Sequence, residues 1–183
     1  MKRLQTEHID LLQFHEIIHE GEPEQIFSQG AIEETIEARE VGKIRFIGFT
    51  GHRWPHLLQE MLAKDFSWDT IQFPTNLLDA HFRSFTQQIL PLVQGREMGI
   101  IGMKSLAGGD ILKANITPEE AITYALSLPI DTLVSGIDSL EVLTQNLKIV
   151  RSWRPISEEK KNNFLEKIAP FAGDGHLERY KTG

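Results

Sequence analysis

Apolar residues gather in five short runs, each beginning or ending near a polar group and each followed by a stretch of helical periodicity. The runs are Ile9-Asp10-Leu11-Leu12-Gln13-Phe14, Lys43-Ile44-Arg45-Phe46-Ile47-Gly48-Phe49, Asp69-Thr70-Ile71-Gln72-Phe73, Gly99-Ile100-Ile101-Gly102-Met103 and Asp131-Thr132-Leu133-Val134-Ser135. Their starts lie roughly 25–35 residues apart, the length of one β/α unit with its crossover. Strands covered on both faces read as near-continuous apolar runs, so the pattern predicts parallel strands alternating with helices. In such arrays the chemistry gathers just past the C-terminal ends of the strands. Five units are fewer than eight, and the 183 residues here fall short of the about 250 that a closed barrel takes.

The segments between the runs supply the helices. Lys2 to Thr6 reads as the last turn of one, and the next is expected over Pro23–Glu40, closed by Gly42. Others are expected over Pro55–Ala63 and Phe82–Met98. Thr117-Pro118-Glu119-Glu120 is a strong helix start, with a capping hydroxyl, a first-turn proline and acids at the positive end. Ser139 caps a helix running to Arg151, and Ser157 starts a last one to Ala169. Ala107-Gly108-Gly109-Asp110 and the tail from Gly173 read as loop. No linker or low-complexity tract interrupts the chain, so one domain is expected over 1–183, with 155–183 as C-terminal helix and tail. Gln13, Arg45 and Gln72 interrupt apolar strands and are expected to line the mouth.

Composition narrows the classes. Hydrophobic residues make up 40% and charged residues 25%, ordinary for a globular chain. A net charge of −7 and the absence of a Lys/Arg cluster argue against nucleic acid or an anionic membrane as partner. With no cysteine there is no disulfide and no thiol nucleophile. The N-terminus lacks the apolar stretch of a signal peptide, no run is long enough to span a bilayer, and a cytoplasmic protein is expected.

Several strings carry candidate chemistry. His15-Glu16-Ile17-Ile18-His19 matches a zinc-protease pattern, but that chemistry needs both imidazoles on one helical face. Here the string follows a strand, and Gly21 and Pro23 arrive before a helix is established, so no metal is expected and His15 alone is placed at the mouth. Thr50-Gly51-His52-Arg53 offers a hydroxyl, a glycine that would let a ligand approach the backbone and an imidazole; a solvated turn is the alternative. Lys104, after the fourth run, is a Schiff-base nucleophile if desolvated, and otherwise a salt-bridged or phosphate-holding lysine.

Taken in order, these strings resemble the aldo-keto reductase family. The segment Lys2–His15 is similar to the family's helix-then-strand stretch, and Gly42–Thr50 to its next strand. Gly99–Lys104, Thr117–Ala121 and Ser139–Glu141 continue the pattern over nearly the whole chain, with Thr-Gly-His and Met-Lys-Ser variants like those of a bacterial or archaeal subgroup. The resemblance implies a TIM-barrel-like α/β fold and reduction of small carbonyl compounds by a nicotinamide cofactor. It implies that His15 orients the carbonyl and that Thr50, Gln72, Met103, Lys104 and Asn146 contact the cofactor. Gly136 and Asp138 stand where many members carry a basic residue for the 2′-phosphate, so NADP(H) and NAD(H) both stay open.

The family's catalytic Asp, Tyr and Lys belong to units before the first strand of this chain, and Tyr124 and Tyr180 lie in later ones. The expectation is therefore about five-eighths of a barrel, a truncated form that alone has little or no activity. It would be completed by a missing N-terminal segment or by a homodimer. A silent cofactor-binding or assembly module and a lyase built on Lys104 are the alternatives.

Overall fold

The computed structural model describes residues 3–183. Lys2, which opens the expected N-terminal helix turn, lies outside them, and Arg3 to Gln5 form a turn. Five strands, β1 (Ile9–Phe14), β2 (Ile44–Thr50), β3 (Thr70–Pro74), β4 (Gly99–Met103) and β5 (Thr132–Leu133), form one sheet in the order of the sequence. Every neighbouring pair is parallel. The order follows from short connections, because elements consecutive in the chain pack beside one another and each new strand is laid beside the last.

The polar groups at the starts of the runs hold the register. The Asp69 carboxylate accepts the Ile47 amide at 2.8 Å and Asp131 accepts the Ile100 amide at 2.7 Å, so each aspartate ties its own strand to the preceding one. Gly48 permits the closest approach, because a Cβ there would lie 2.0 Å from Thr70 Oγ1 and 2.7 Å from the Thr70 carbonyl oxygen.

Alternation and strand pairing assign the two faces of the sheet. Ile47, Phe49, Ile71, Phe73 and Ile100 point to the helical side and are buried. They pack against α2 (Ala31–Glu40), α3 (Pro55–Ala63), α4 (Phe85–Gln88) and α5 (Leu90–Val93) through Ile32, Leu57, Met61, Phe85 and Val93. The paired positions Leu11–Phe46, Gln13–Gly48 and Thr50–Gln72 lie on the opposite face. That face is partly open, with Phe46 40% and Val134 49% exposed. A second core joins Leu77 and Leu78 after β3 to Ile111, to α6 (Pro118–Leu126) through Ala121 and Tyr124, and to Ile168, Ala172 and Leu177 near the C-terminus.

The caps behave as read. Thr117 and Glu120 form a reciprocal capping box on α6. Ser139 caps α7 (Leu140–Ser152), and Ser157 caps α8 (Glu158–Ile168). Elsewhere the chain departs from expectation. The single helix over Pro23–Glu40 is two, α1 (Glu22–Ser28) and α2, separated where Gly30 turns left-handed at φ 86°. The helix over Phe82–Met98 is reduced to α4 and α5, because Pro91 removes an amide from the ladder and a fresh turn must start at Leu90. Ala107–Ala114 is a 3₁₀ run kinked at Gly108 and Gly109 rather than a plain loop. The fifth strand pairs over two residues only. The tail is not loose, since it ends in α9 (Arg179–Thr182) with Lys181 buried. Among the described residues no helix is long and apolar enough to cross a membrane.

Candidate functional site

The C-terminal ends of β1 to β4 converge and are stitched to one another beyond the sheet. Ile17 N donates to Thr50 O at 2.8 Å, Gly51 N to Gln72 O at 3.2 Å and Thr75 N to Met103 O at 2.9 Å. Thr50 and Gln72 sit directly opposite each other on adjacent strands. The Gln72 amide nitrogen lies 3.4 Å from Met103 Sδ. These three residues form a polar and thioether shelf on the open face. Gln13, on the same face, has a buried amide nitrogen without a hydrogen-bond partner.

Beyond the shelf the connections carry the charged groups. Glu16 takes a left-handed backbone at φ 63°, a strained conformation for a residue with a side chain. It is held there because its amide donates to Thr50 Oγ1 at 3.0 Å. Its carboxylate lies 3.3 Å from His52 Nε2 and 3.9 Å from His15 Nδ1. The two imidazoles differ sharply, with the His15 side chain 79% exposed and that of His52 only 14%. Burial pulls the His52 pKa below its ordinary 6.5, and the positive charges of Lys104, His15 and Arg53 act in the same direction against the opposing Glu16.

Gly51 does not leave room for a ligand. A Cβ there would lie 2.7 Å from the Leu58 side chain and 2.9 Å from the Ile17 carbonyl oxygen, so its space is filled by the protein itself. Arg45 is not at the mouth either. It sits near the start of β2 and pairs with Asp10 at 3.6 Å, because the parallel register places Ile44 beside Ile9 at the amino edge. Lys104 is exposed and has a left-handed φ of 58°. Its ammonium stands 5.4 Å from the Tyr180 ring, and its exposure does not provide the desolvation that a Schiff-base lysine requires. Asn146 is separate from the shelf. It is buried on α7, donates to Ser135 Oγ at 3.0 Å and leaves its amide oxygen without a partner.

The His15–His19 string is non-helical, as its setting after a strand predicts. A different group does come together: Glu20, His56 and Glu60 have ligand atoms within 4.8 Å of one another, on the surface, with Glu20 and His56 already paired at 2.8 Å. A cavity of about 250 Å³ is lined by Phe14, His15, Ile17, Glu22, Gln25 and Ile26.

Sequence reasoning missed the residues that complete the rim. Asn76 donates its amide to Lys104 O at 3.1 Å and to the Tyr180 hydroxyl at 2.8 Å. Asp79 accepts from Ser84 Oγ, Phe85 N, Thr86 N and Thr86 Oγ1, and also from Lys181. The dense Thr75-Asn76-Leu77-Leu78-Asp79 string after β3, which includes side chains that commonly organise loops, was the available signal. Tyr180 and Lys181 had none, because they lie more than 70 residues beyond β4 in a short segment without periodicity.

Parallel strands, helices on one face and polar groups gathered at the carboxyl edge define part of a β/α barrel with a candidate site at its mouth. The chain belongs to the aldo/keto reductase family, which it matches over residues 1–162. Its fold is similar to that of aldo-keto reductase AKR11C1 from Bacillus halodurans, with a TM-score of 0.70 and 21% identity over 91% of this chain and 64% of that one. It is likewise similar to MGS-M4, an aldo-keto reductase from a Medee basin deep-sea metagenome library, with a TM-score of 0.68 and 16% identity over 92% and 63% of the two chains. An aldo/keto reductase from Brucella melitensis aligns with a TM-score of 0.62 and 14% identity, covering 91% and 63%. The chain thus spans less than two thirds of the length of these barrel enzymes. Compared by sequence with curated proteins, it has no match.

Proposed function

We propose that this chain, as one unit over 1–183, carries the carbonyl-orienting and cofactor-facing part of a nicotinamide-dependent carbonyl reductase site. Further β/α units would complete it. The observation that carries this reading is the shelf in which Thr50 and Gln72 are paired and Gln72 reaches Met103 at 3.4 Å. An amide, a hydroxyl and a thioether suit an aromatic carboxamide: the first two can hydrogen-bond its amide, and the third packs on a flat ring. Lys104 would face a phosphate, and Asn146, with its free amide oxygen, would serve the adenine end. NADP(H) and NAD(H) both fit this donor set. The cofactor would supply hydride to an aldehyde or ketone, and His15, exposed at the end of β1, would orient the carbonyl oxygen. A tuned acid at hydrogen-bond distance contributes about 10²–10⁴ in rate. The family's Asp, Tyr and Lys are expected from units outside residues 1–183, so this chain alone is inactive or nearly so.

The need for completion is supported by surfaces the chain leaves uncovered. Both β1 and β5 are edge strands. Leu140, Leu147 and Val150 form an exposed apolar stripe on α7, beside the short β5. A segment with three more β/α units accounts for these features together with the share of the reductase barrel that the chain does not span. A homodimer would cover the same surfaces.

Calorimetry with NADPH and NADH, followed by NADPH oxidation with a panel of small aldehydes, tests the reading. Binding without turnover is expected. Absence of binding by either dinucleotide refutes the cofactor assignment. Clear turnover that disappears in His15→Ala refutes the claim that the chain alone is inactive.

A further inference from the structure

The segment after α8 is anchored rather than draped. Lys181 is 0% exposed, and its ammonium donates to Asp79 Oδ1 at 2.7 Å and to the Phe82 carbonyl at 2.7 Å, with Glu178 Oε1 at 3.0 Å. Arg83 donates to the Lys181 carbonyl at 2.7 Å, and Arg179 Nε to Asp110 Oδ2 at 2.8 Å. A lysine leaves water only where its charge is paired and its protons are used, and here both conditions hold.

The anchor places Tyr180 across the rim. Its hydroxyl accepts from Asn76 at 2.8 Å and donates to Glu178 Oε1 at 2.6 Å. Its ring stands edge-on to His52, with centroids 5.6 Å apart, and lies 5.4 Å from the Lys104 ammonium. His52, Asn76 and Lys104 follow β2, β3 and β4 respectively, so one aromatic ring bridges three strand ends just outside the Thr50–Gln72–Met103 shelf.

We propose that residues 175–183 are a latched strap and that Tyr180 is a positioning residue of the site, closing the rim over β2 to β4 and holding the His52 imidazole against Glu16, beside His15. This role rests on the carbonyl-reductase site proposed above only for naming its neighbours a site; the contacts themselves need no dinucleotide. Tyr180 is not the proton donor in this arrangement, because both hydrogen-bonding directions of its hydroxyl are occupied. Burial, reinforced by Glu178, also raises its pKa well above the ordinary value. What the ring supplies is exclusion of water from one side of His52, and that desolvation disfavours the charged imidazolium by more than the neighbouring Glu16 favours it. The charged groups facing His52 are Glu16 and His15 from the connection after β1, its own neighbour Arg53, and Lys104 after β4. The strap adds only the neutral phenol, since Lys181 and Glu178 are paired with each other.

The test is an NMR titration of the His52 ring in the whole chain, without ligand, for the native protein, Tyr180→Phe and Tyr180→Ala. The native midpoint is expected below 6.5. Tyr180→Phe keeps the ring and is expected to keep that midpoint. Tyr180→Ala admits water while leaving Glu16 in place, and the midpoint is expected to move upward. Lys181→Met, which releases the latch but leaves the ring, is expected to shift it in the same direction in protein whose amide spectrum remains dispersed. An unchanged midpoint in folded Tyr180→Ala overturns the proposal, as does a Tyr180→Phe shift equal to that of Tyr180→Ala. NADPH binding measured on the same samples separates the two readings. A His52 response without dinucleotide binding keeps the strap and removes the cofactor assignment.

Discussion

Replacing Lys181 with methionine tests whether the C-terminal segment is a part of the fold. The substitution keeps much of the side-chain volume and deletes an ammonium that contacts three oxygens at 2.7, 2.7 and 3.0 Å with no exposure to solvent. Removing one partner of a buried ion pair costs about 3–5 kcal/mol, because the other charge stays buried without compensation. Two features place this case at the lower end. Asp79 retains four other donors from Ser84, Phe85 and Thr86. Glu178, whose carboxyl is already pushed upward by burial, can take up a proton and shed its charge. A loss of about 3 kcal/mol follows, and in a chain of 150–250 residues each kcal/mol moves the thermal midpoint by about 2–4 °C, for a total of ~6–12 °C. Far-UV circular dichroism melts at neutral pH measure it, with Lys148→Met as an exposed control expected within about 0.5 kcal/mol of the native protein. A Lys181→Met midpoint within ~2 °C of native would refute the buried latch and release the tail from the core.

Two further outcomes follow from the sheet and the latch. Gly48→Ala forces a Cβ to within 2.0 Å of Thr70 Oγ1, so β2 and β3 must part; about 2–3 kcal/mol should be lost in urea unfolding, while Gly136→Ala, with nothing within 4 Å, stays near native. The Glu178 carboxyl has its pKa raised by burial above the ordinary 4.5, so the folded chain holds that proton more tightly than the unfolded one. Its contribution to stability is complete below the unfolded value and is lost as pH rises through the folded one, so Glu178→Gln should flatten the decline measured by denaturation at a series of pH values above 4.5.

Elements whose cause is local can be read directly from the residues. Strand runs are dictated by burial on one or both faces, and helix starts by a hydroxyl that satisfies nearby amides, so Thr117, Ser139 and Ser157 were legible as caps before any fold was known. The order of the sheet and its carboxyl edge followed, and with them the placement of His15, Thr50, Gln72 and Met103 at or near one rim. Local breakers leave a weaker trace: Gly30 and Pro91 each divide a helix that periodicity alone would continue. Which polar groups face one another is a matter of long-range packing. Arg45 belongs to the amino edge because register, not composition, sets a residue's height along a strand. Gly51 serves the packing of Ile17 and Leu58 rather than a ligand. Lys181 and Tyr180 show the limit most clearly. A lone lysine in a short polar tail reads as solvated, and only the carboxylates of Asp79 and Glu178, together with the Phe82 carbonyl, turn it into a buried anchor. Asp79 lies about a hundred residues earlier, and a pairing at that separation leaves no trace in local pattern, because its energy exists only once the intervening chain has folded.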